Sequence, residues 1–160
     1  MGKLKMVRRA EVKDVSRIHE LLVQVCMVHH EGRPDLFKGP ATKYSNSELA
    51  LMIKDNNAPI FVAVDEKDEV LGYCFTIIEE IKDSLLRESM KTLYIDDLCV
   101  DEVCRGEHVG QALYEYVKSF ARESGCYNIT LHVWECNKNA EMFYRNMGFK
   151  PQFTSMEEIL

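Results

Sequence analysis

The order of elements between residues 92 and 133 is the feature that most limits the folds open to this chain. Apolar residues recur at three- and four-residue spacing from Val109 until Gly125, which predicts an amphipathic helix that ends at a glycine cap. A strand-like apolar run precedes this helix at 92–100, and alternating apolar residues follow it at 129–133. Strand, short loop, helix and strand in this order predict two parallel strands joined by a right-handed crossover.

Further strands and helices are predicted on both sides of this unit. Period-two alternation predicts a strand and helical spacing predicts a helix, while polar or glycine-rich segments mark the turns. On these grounds we predict strands at 4–9, 60–64, 70–78, 149–153 and 156–160, and helices at 15–25, from Ser45 to about residue 55, and from Asn137 to Gly148. The chain of 160 residues has room for one sizeable core. We therefore predict an α/β fold with a mixed sheet and helices on both faces, with residues 1–160 as a single domain.

The strand at 92–100 carries an irregularity in its apolar pattern. Leu93 and Ile95 share one alternation phase, whereas Leu98 and Val100 share the other. An extra residue at Asp96-Asp97 would bring all four side chains to one face, because the side-chain period of a strand is two. The pattern therefore predicts a β-bulge, which leaves backbone groups free for a ligand; a strand buried on both faces is the alternative.

The junction between this strand and the long helix, residues 104–112, reads Cys-Arg-Gly-Glu-His-Val-Gly-Gln-Ala. Its glycines allow close approach of the backbone to a ligand, and the helix start offers unpaired N–H groups at the positive end of the dipole, so the junction is suited to a pyrophosphate. It lacks the Gly-Lys-Ser/Thr of a Walker loop and the three-glycine dinucleotide fingerprint. A purely structural strand-to-helix turn is the alternative.

Charge and cysteine usage exclude several classes of partner. The net charge of −6 disfavours nucleic acid and anionic membranes. No apolar run approaches the roughly 20 residues that span a bilayer, and residues 1–6 lead into a charged stretch, so we expect a cytoplasmic protein.

Six cysteines at irregular spacings, without Cys-x-x-Cys, predict reduced thiols and no metal site. His29 and His30 are adjacent, so on a helix they would point about 100° apart and could not chelate together.

Taken together, three segments resemble the GNAT superfamily of N-acetyltransferases over nearly the whole chain. Residues 93–100, Leu-Tyr-Ile-Asp-Asp-Leu-Cys-Val, resemble the family's splayed central strand. Residues 105–110, Arg-Gly-Glu-His-Val-Gly, resemble its Gln/Arg-x-x-Gly-x-Gly/Ala loop, except that His108 replaces the middle glycine. Residues 131–149 are similar to the strand, helix and Gly-Phe ending that close the cofactor site. The resemblance implies a GNAT-like acyl-CoA N-acyltransferase fold with splayed parallel strands.

The same resemblance implies residue roles and a reaction. Acetyl-CoA would be the co-substrate, with no metal, and its acetyl group would pass to a primary amine by direct attack. Tyr144 would be the general acid that protonates the departing thiolate, and Asp97 is the candidate base. The residues implied in cofactor binding are Leu98, Cys99, Val100, Arg105, Gly106, Glu107, His108, Val109, Gly110, Gln111, Ala112 and Asn137.

Other interpretations are compatible with the same residues. Tyr144 also fits a core-facing tyrosine, and Asp97 fits equally a carboxylate that only attracts a cationic acceptor. A non-catalytic acyl-CoA-binding or partner-binding module on the same fold is the rival function. The acceptor is not encoded by any recognisable motif, although the Gly- and Pro-punctuated residues 31–44 suggest a substrate lid. A homodimer formed through the C-terminal strand is also compatible with the sequence.

Overall fold

A computed structural model describes residues 2–160, in which one five-stranded sheet has its strands in chain order, β1 to β5. The strands are β1 (Leu4–Arg9), β2 (Ile60–Asp65), β3 (Val70–Ile81), β4 (Met90–Val100) and β5 (Asn128–Leu131), and the helices are α1 (Val15–Gly32), α2 (Asn46–Met52), α3 (Val109–Glu123) and α4 (Lys138–Asn146). Neighbouring strands are antiparallel from β1 to β4, and β4 and β5 are parallel. The predicted mixed α/β sheet and its parallel pair are confirmed.

The alternating side chains of β2 divide the core into two layers. Val62 and Val64 pack with α1 and α2, whereas Phe61 and Ala63 pack with α3 on the opposite face. All four residues are buried, as expected for a central strand covered by helices on both sides. Helices therefore lie on both faces of the sheet, as predicted.

The predicted β-bulge in β4 is confirmed. Phe75 of β3 pairs with Asp97, and the next residue of β3 pairs with Ile95, so Asp96 is the extra residue. Beyond the bulge, Leu98 and Val100 pack on the same core layer as Leu93 and Ile95. The alternative of a strand without a bulge is thereby excluded.

The helix caps predicted from the sequence are present in the structure, although the end of α1 differs from the predicted one. Ser45 and Glu48 form the predicted capping box of α2. The Asn137 side chain caps α4, and Gly148 follows that helix at φ 98°. α1 runs to Gly32, so the connecting loop begins at Arg33 rather than at residue 31.

The two closing strands predicted at 149–153 and 156–160 are wrong. Residues 150–160 form no strand, and within residues 2–160 they make no backbone–backbone hydrogen bond. Apolar residues at strand-like spacing do not make a strand unless another strand pairs with their backbone groups. Val133, expected in β5, also lies beyond the last paired residue, Leu131.

Candidate active site

A groove opens between β4 and β5. The two strands pair only from Thr92 with Asn128 to Ile95 with Leu131. After Ile95 the edge of β4 that faces β5 has no strand partner within residues 2–160, so its peptide groups are free for a ligand. Asp97, Leu98, Asn137 and Tyr144 all line this groove.

Asp97 lies in the bulge at the inner wall of the groove. Its carboxylate accepts a hydrogen bond of 2.8 Å from the buried hydroxyl of Tyr73. Burial raises the pKa of Asp97 from 3.8 to about 6, while the Tyr73 hydrogen bond and the charge of Lys43 act in the opposite direction. A carboxylate with this pKa is largely ionised at neutral pH and is a better proton acceptor than an ordinary aspartate.

Replacement of Tyr73 by phenylalanine is expected to raise the pKa of Asp97 further. The substitution removes the hydroxyl that stabilises the ionised carboxylate and leaves the ring that stacks on Phe75 at 4.8 Å. If Asp97 is the base, the acid limb of kcat/KM moves to higher pH in Tyr73→Phe. Tyr127→Phe, at a tyrosine that is 77% exposed, is the matched control. A pH–rate profile with an unmoved acid limb in Tyr73→Phe contradicts this assignment.

Tyr144 lies on α4 and lines the same groove. Burial raises its pKa, as do the negative charges of Cys74, Asp97 and Cys99 when these groups are ionised. The phenol therefore stays protonated at neutral pH and is available as a donor. Its ring also packs edge-on against Phe143 and Phe149, with centroid distances of 5.2 and 5.5 Å. This geometry is compatible both with a packing role and with a role as proton donor.

The junction between β4 and α3 has a backbone shaped for close approach. Gly106 has φ 87°, and a Cβ added there would meet no atom within 4 Å. His108 also lies in the left-handed region, at φ 61°, directly before α3 begins at Val109. His108 makes no side-chain cap, so it leaves the first N–H groups of α3 unbonded by its ring. Left-handed backbone is costly for a residue other than glycine, so His108 is less suited to this conformation than the middle glycine of the motif that the loop resembles.

Gly110 allows close packing of helices as well as close approach of a ligand to the backbone. A Cβ at this position would lie 3.2 Å from Cε2 of Phe143 and 3.5 Å from Cγ2 of Val100. The start of α3 is therefore in direct contact with α4 and with the end of β4. A bulky residue at 110 would displace α4, the helix that carries Tyr144, and so would affect fold and site together.

The remaining residues predicted to bind the cofactor differ in their exposure and position. Arg105, Glu107 and Gln111 are exposed, and Ala112 is half-buried on α3. Cys99 is buried in the layer of α1, with Sγ 3.6 Å from the carbonyl oxygen of Leu21, so only its backbone can reach a ligand in the groove. Residues 105–112 lie at the start of α3 and do not line the groove itself.

Asn137 has one of its two amide functions engaged. Its side-chain oxygen accepts a hydrogen bond of 3.2 Å from the Ala140 backbone N–H. Its side-chain NH₂ group makes no hydrogen bond within residues 2–160 and is the function left for a ligand carbonyl. Capping and ligand binding are therefore compatible in this residue.

Sequence patterns did not reveal the groups that border the outer half of the groove. Lys43 makes a 2.8 Å ion pair with Asp96, the bulge residue. Phe37 packs edge-on against Trp134 at 5.1 Å, which joins the loop after α1 to the segment after β5. Burial lowers the pKa of His29, whose ring lies 5.2 Å from that of Phe37. Only Trp134, the one tryptophan of the chain, carried a signal that could have drawn attention to this region.

The described residues contain neither a cluster suited to a metal ion nor a helix suited to a membrane. No three His, Cys, Asp or Glu side chains in residues 2–160 are grouped to hold a metal ion. Among the helices of that same range, none has the length and apolar content to cross a membrane.

The chain is similar to known acetyltransferases. Residues 26–149 match the model of the acetyltransferase (GNAT) family. Peptidyl-lysine N-acetyltransferase YjaB of Escherichia coli K12 is 32% identical over 93 residues, which are 58% of this chain and 50% of that protein. Glucosamine 6-phosphate N-acetyltransferase 1 of Dictyostelium discoideum is 29% identical over 97 residues, covering 61% of this chain and 59% of that protein. The chain thus spans about half the length of the curated relatives it matches.

Solved structures match over a greater length. A mutant of the BH1408 protein from Bacillus halodurans has a TM-score of 0.93 at 28% identity, over 98% of this chain and 99% of that one. Glucosamine-6-phosphate N-acetyltransferase from Arabidopsis thaliana has a TM-score of 0.71 at 22% identity, over 98% of both chains, and shows a shared fold.

Proposed function

The chain belongs to the acetyltransferase (GNAT) family, and we propose that residues 1–160 act as one domain that transfers the acetyl group of acetyl-CoA to a primary amine of a small molecule or peptide. The observation that carries the proposal is the meeting of Asp97, Tyr144 and the unpaired edge of β4 in one groove. This arrangement offers a base, an acid and backbone donors at one place, which direct acyl transfer requires.

The free edge of β4 and the junction before α3 fit acetyl-CoA. The unpaired peptide groups after Ile95 suit the amides of the pantetheine arm, and the NH₂ group of Asn137 suits one of its carbonyls. The open backbone at Gly106 and the first N–H groups of α3 suit the pyrophosphate. When bound, acetyl-CoA supplies an activated thioester carbonyl.

Asp97 supplies the base for the acceptor. An alkylammonium has a pKa of about 10, so it must lose a proton before its nitrogen can attack a carbonyl. The Asp97 carboxylate accepts this proton directly or through one water molecule, and its pKa of about 6 keeps it ionised at pH 7 and above. Backbone N–H groups of β4 between Leu98 and Val100 polarise the carbonyl oxygen.

Tyr144 supplies the acid for the leaving group. As the new C–N bond forms and the C–S bond breaks, the sulfur takes the bonding electron pair and the Tyr144 hydroxyl donates its proton to it. The acetylated nitrogen then releases its second proton to water, and the Tyr144 phenolate regains a proton from water. A phenol whose pKa is raised is fully protonated before this step. The Asp97 charge that raises the pKa of Tyr144 is neutralised when Asp97 takes the proton from the amine, which makes donation easier at that moment.

The loop from Arg33 to Tyr44 is proposed to govern the choice of acceptor. Phe37 joins this loop to Trp134, and Lys43 joins it to Asp96 next to the base. The Phe37→Ala variant is expected to raise KM for the amine about tenfold, since it removes a ring from the groove wall, and to leave acetyl-CoA affinity nearly unchanged. Leu51→Ala, at an exposed residue of α2, is the matched control. Steady-state kinetics and calorimetry check both values, and a selective loss of acetyl-CoA binding in Phe37→Ala would contradict the role.

A screen of amines tests the proposed reaction and identifies the acceptor class. CoA release is followed by thiol titration with wild-type protein, acetyl-CoA and a panel of polyamines, amino sugars, peptides with free N-termini and lysine peptides. The proposal expects amine-dependent release for at least one class, with acetylated product in the mass spectrum. Tight binding of acetyl-CoA without any amine-dependent release would instead support a non-catalytic acyl-CoA-binding module.

We further propose that the protein works in the cytoplasm, without nucleic acid or membrane partners. All six cysteines are free thiols in the structure, and buried free thiols are typical of a reducing compartment. The net charge of −6 supports an amine or another basic acceptor as partner rather than a polyanion.

A further inference from the structure

The groove reaches both faces of the sheet, because residues of α1 and of α3 line it. The residues outside β4 that are proposed to bind acetyl-CoA belong to the α3 side. Their junction leads into α3, and the Tyr144 ring packs on Phe149 in the core layer of that helix. Asp97 is bonded from the opposite face, since its partner Tyr73 lies in the core layer of α1. The amine therefore reaches Asp97 from the α1 side of the groove.

Aromatic side chains form a wall along the α1 side of the groove. This aromatic wall consists of six residues that line the groove: His29, Phe37, Tyr94, His132, Trp134 and Phe153. They make two groups of ring contacts. In the first group, Phe37 packs against His29 of α1 and against Trp134, with centroid distances of 5.2 and 5.1 Å. This group joins α1 and the loop after it to the segment that follows β5.

The second group of rings lies beside the first. His132 packs against Tyr94 and Phe153, with centroid distances of 5.4 and 5.7 Å. His132 and Trp134 are separated by one residue, so the two groups are adjacent. The contacts within the wall leave much of it open, with Trp134 43% and Phe153 65% exposed. Exposed aromatic surface gathered in one place is typical of a site that an apolar ligand covers.

Tyr94 connects the aromatic wall to the base. It precedes Asp97 by three residues in β4. Its neighbours Leu93 and Ile95 pack in the core layer of α3, so the alternation of side chains along a strand directs Tyr94 to the α1 side. The wall therefore begins next to the base and on the same face of the sheet.

Ion pairs neutralise charged groups next to the aromatic wall. Lys43 pairs with Asp96, and Arg33 pairs with Glu157. Asp97, in contrast, makes no ion pair within residues 2–160. Its carboxylate receives the neutral hydroxyl of Tyr73 and is left to attract one ammonium group.

A second ammonium group has no comparable partner in the groove. Among the groove-lining carboxylates of residues 2–160, Glu79 is the other one without an ion pair. Glu79 is exposed and lies four residues along β3 from Phe75, the pairing partner of Asp97, which is a separation of about 13 Å. Solvent weakens the attraction of an exposed carboxylate. A polyamine, or a sugar with several amines, would leave most of its charges unpaired here.

From this arrangement we propose that the acceptor is an arylalkylamine, in which one primary amine is joined to an aromatic ring by a short alkyl linker. The ammonium group pairs with Asp97, and the ring lies against the aromatic wall. Stacked and edge-on contacts between rings favour a flat aromatic ring over a saturated ring of equal size. The inference rests on the proposed acetyl transfer and narrows the class of its acceptor.

Kinetics with matched amines test this acceptor class. Phenethylamine and cyclohexylethylamine carry the same ammonium group on the same carbon skeleton and differ in whether the ring is aromatic. CoA release from acetyl-CoA by the wild-type protein is expected to have a kcat/KM about tenfold higher for phenethylamine. Spermidine, glucosamine and a lysine peptide are expected to have a lower kcat/KM than phenethylamine. Equal values for the two matched amines, or a higher value for any of the other three than for phenethylamine, overturns the proposal.

Substitution of Trp134 tests the role of the aromatic wall. Trp134→Leu removes the aromatic surface and keeps a large apolar side chain, so the preference for phenethylamine over cyclohexylethylamine is expected to fall about fivefold. Trp134→Phe keeps an aromatic ring and is the matched control, which should retain most of the preference. The preference is a ratio measured on one sample, so a partial loss of folded protein does not change it. An unchanged ratio in Trp134→Leu, or an equal loss in both variants, overturns the proposal.

Tryptophan fluorescence separates a failure of this inference from a failure of the proposed reaction. Trp134 is the one tryptophan of the chain, so its emission reports occupation of the wall without turnover. With CoA present, phenethylamine is expected to change this emission saturably, and cyclohexylethylamine to require about tenfold higher concentrations. A saturable change without CoA release from acetyl-CoA would support the aromatic site and contradict acetyl transfer. Amine-dependent CoA release without any change of emission by phenethylamine would support acetyl transfer and overturn the acceptor class.

Discussion

Tyr144→Phe is expected to lower kcat by about 10²-fold or more, which is about 3 kcal/mol of transition-state stabilisation, while the protein stays folded and binds acetyl-CoA normally. The substitution removes one hydroxyl and keeps the ring that packs against Phe143 and Phe149. A thiolate with a free pKa of roughly 8 to 9 is already a fair leaving group, so the loss can be limited when amine attack determines the rate. Steady-state kinetics with circular dichroism and thermal melting measure the effect.

The control for this variant is Tyr116→Phe, which removes a hydroxyl from a tyrosine of α3 that packs on Phe61 outside the groove. Its kinetics should match those of the wild type. Wild-type turnover in a folded Tyr144→Phe protein, measured where chemistry limits the rate, would make Tyr144 a packing residue and leave the acid unassigned.

Asp97→Asn is expected to reduce turnover by about 10²-fold and to make the protein more stable at neutral pH. The pKa of Asp97 is about 6 in the folded protein because burial disfavours its charge. The ionised carboxylate therefore destabilises the fold above pH 6, and this cost disappears as the pH falls toward the unfolded value of 3.8. Removal of the charge should stabilise the fold on the order of 3 kcal/mol at pH 8 and by almost nothing at pH 4, because one pKa unit corresponds to about 1.4 kcal/mol.

Denaturant unfolding at both pH values and kinetics across the pH range check this pair of effects. The deficit in turnover should narrow at high pH, where the amine loses its proton to solvent. Asp96→Asn, next in the chain and paired with Lys43, is the control and should keep most of the turnover. A loss confined to KM for the amine, with kcat unchanged, would assign Asp97 to attraction of the cation rather than to proton transfer.

The sequence predicted the elements whose patterns arise within one segment. The α3 stripe, the Ser45 capping box and the phase change in β4 are local, and each was found in the structure where the pattern placed it. The bulge prediction succeeded because a one-residue slip reverses every side chain of a strand, which makes the apolar pattern decisive.

Features that depend on contacts between residues far apart in the sequence were not predicted. The segments predicted as strands at 149–153 and 156–160 have apolar residues, but within residues 2–160 they pair with no other strand. The Lys43–Asp96 ion pair and the Phe37–Trp134 contact join residues far apart in sequence, and no local pattern records such a pairing. The Tyr73 hydrogen bond to Asp97 belongs to the same class, because it depends on the register of β3 against β4.

We propose that the groove between β4 and β5 binds acetyl-CoA and that the protein transfers its acetyl group to an amine there. Titration calorimetry with acetyl-CoA, followed by thiol release on addition of the best amine from the screen, measures both steps on wild type and on Asp97→Asn. One site per chain is expected in both proteins, with rapid amine-dependent CoA release in the wild type and release slowed about 10²-fold in the variant. Absence of acetyl-CoA binding by the folded wild type, or equal release from both proteins, would contradict it.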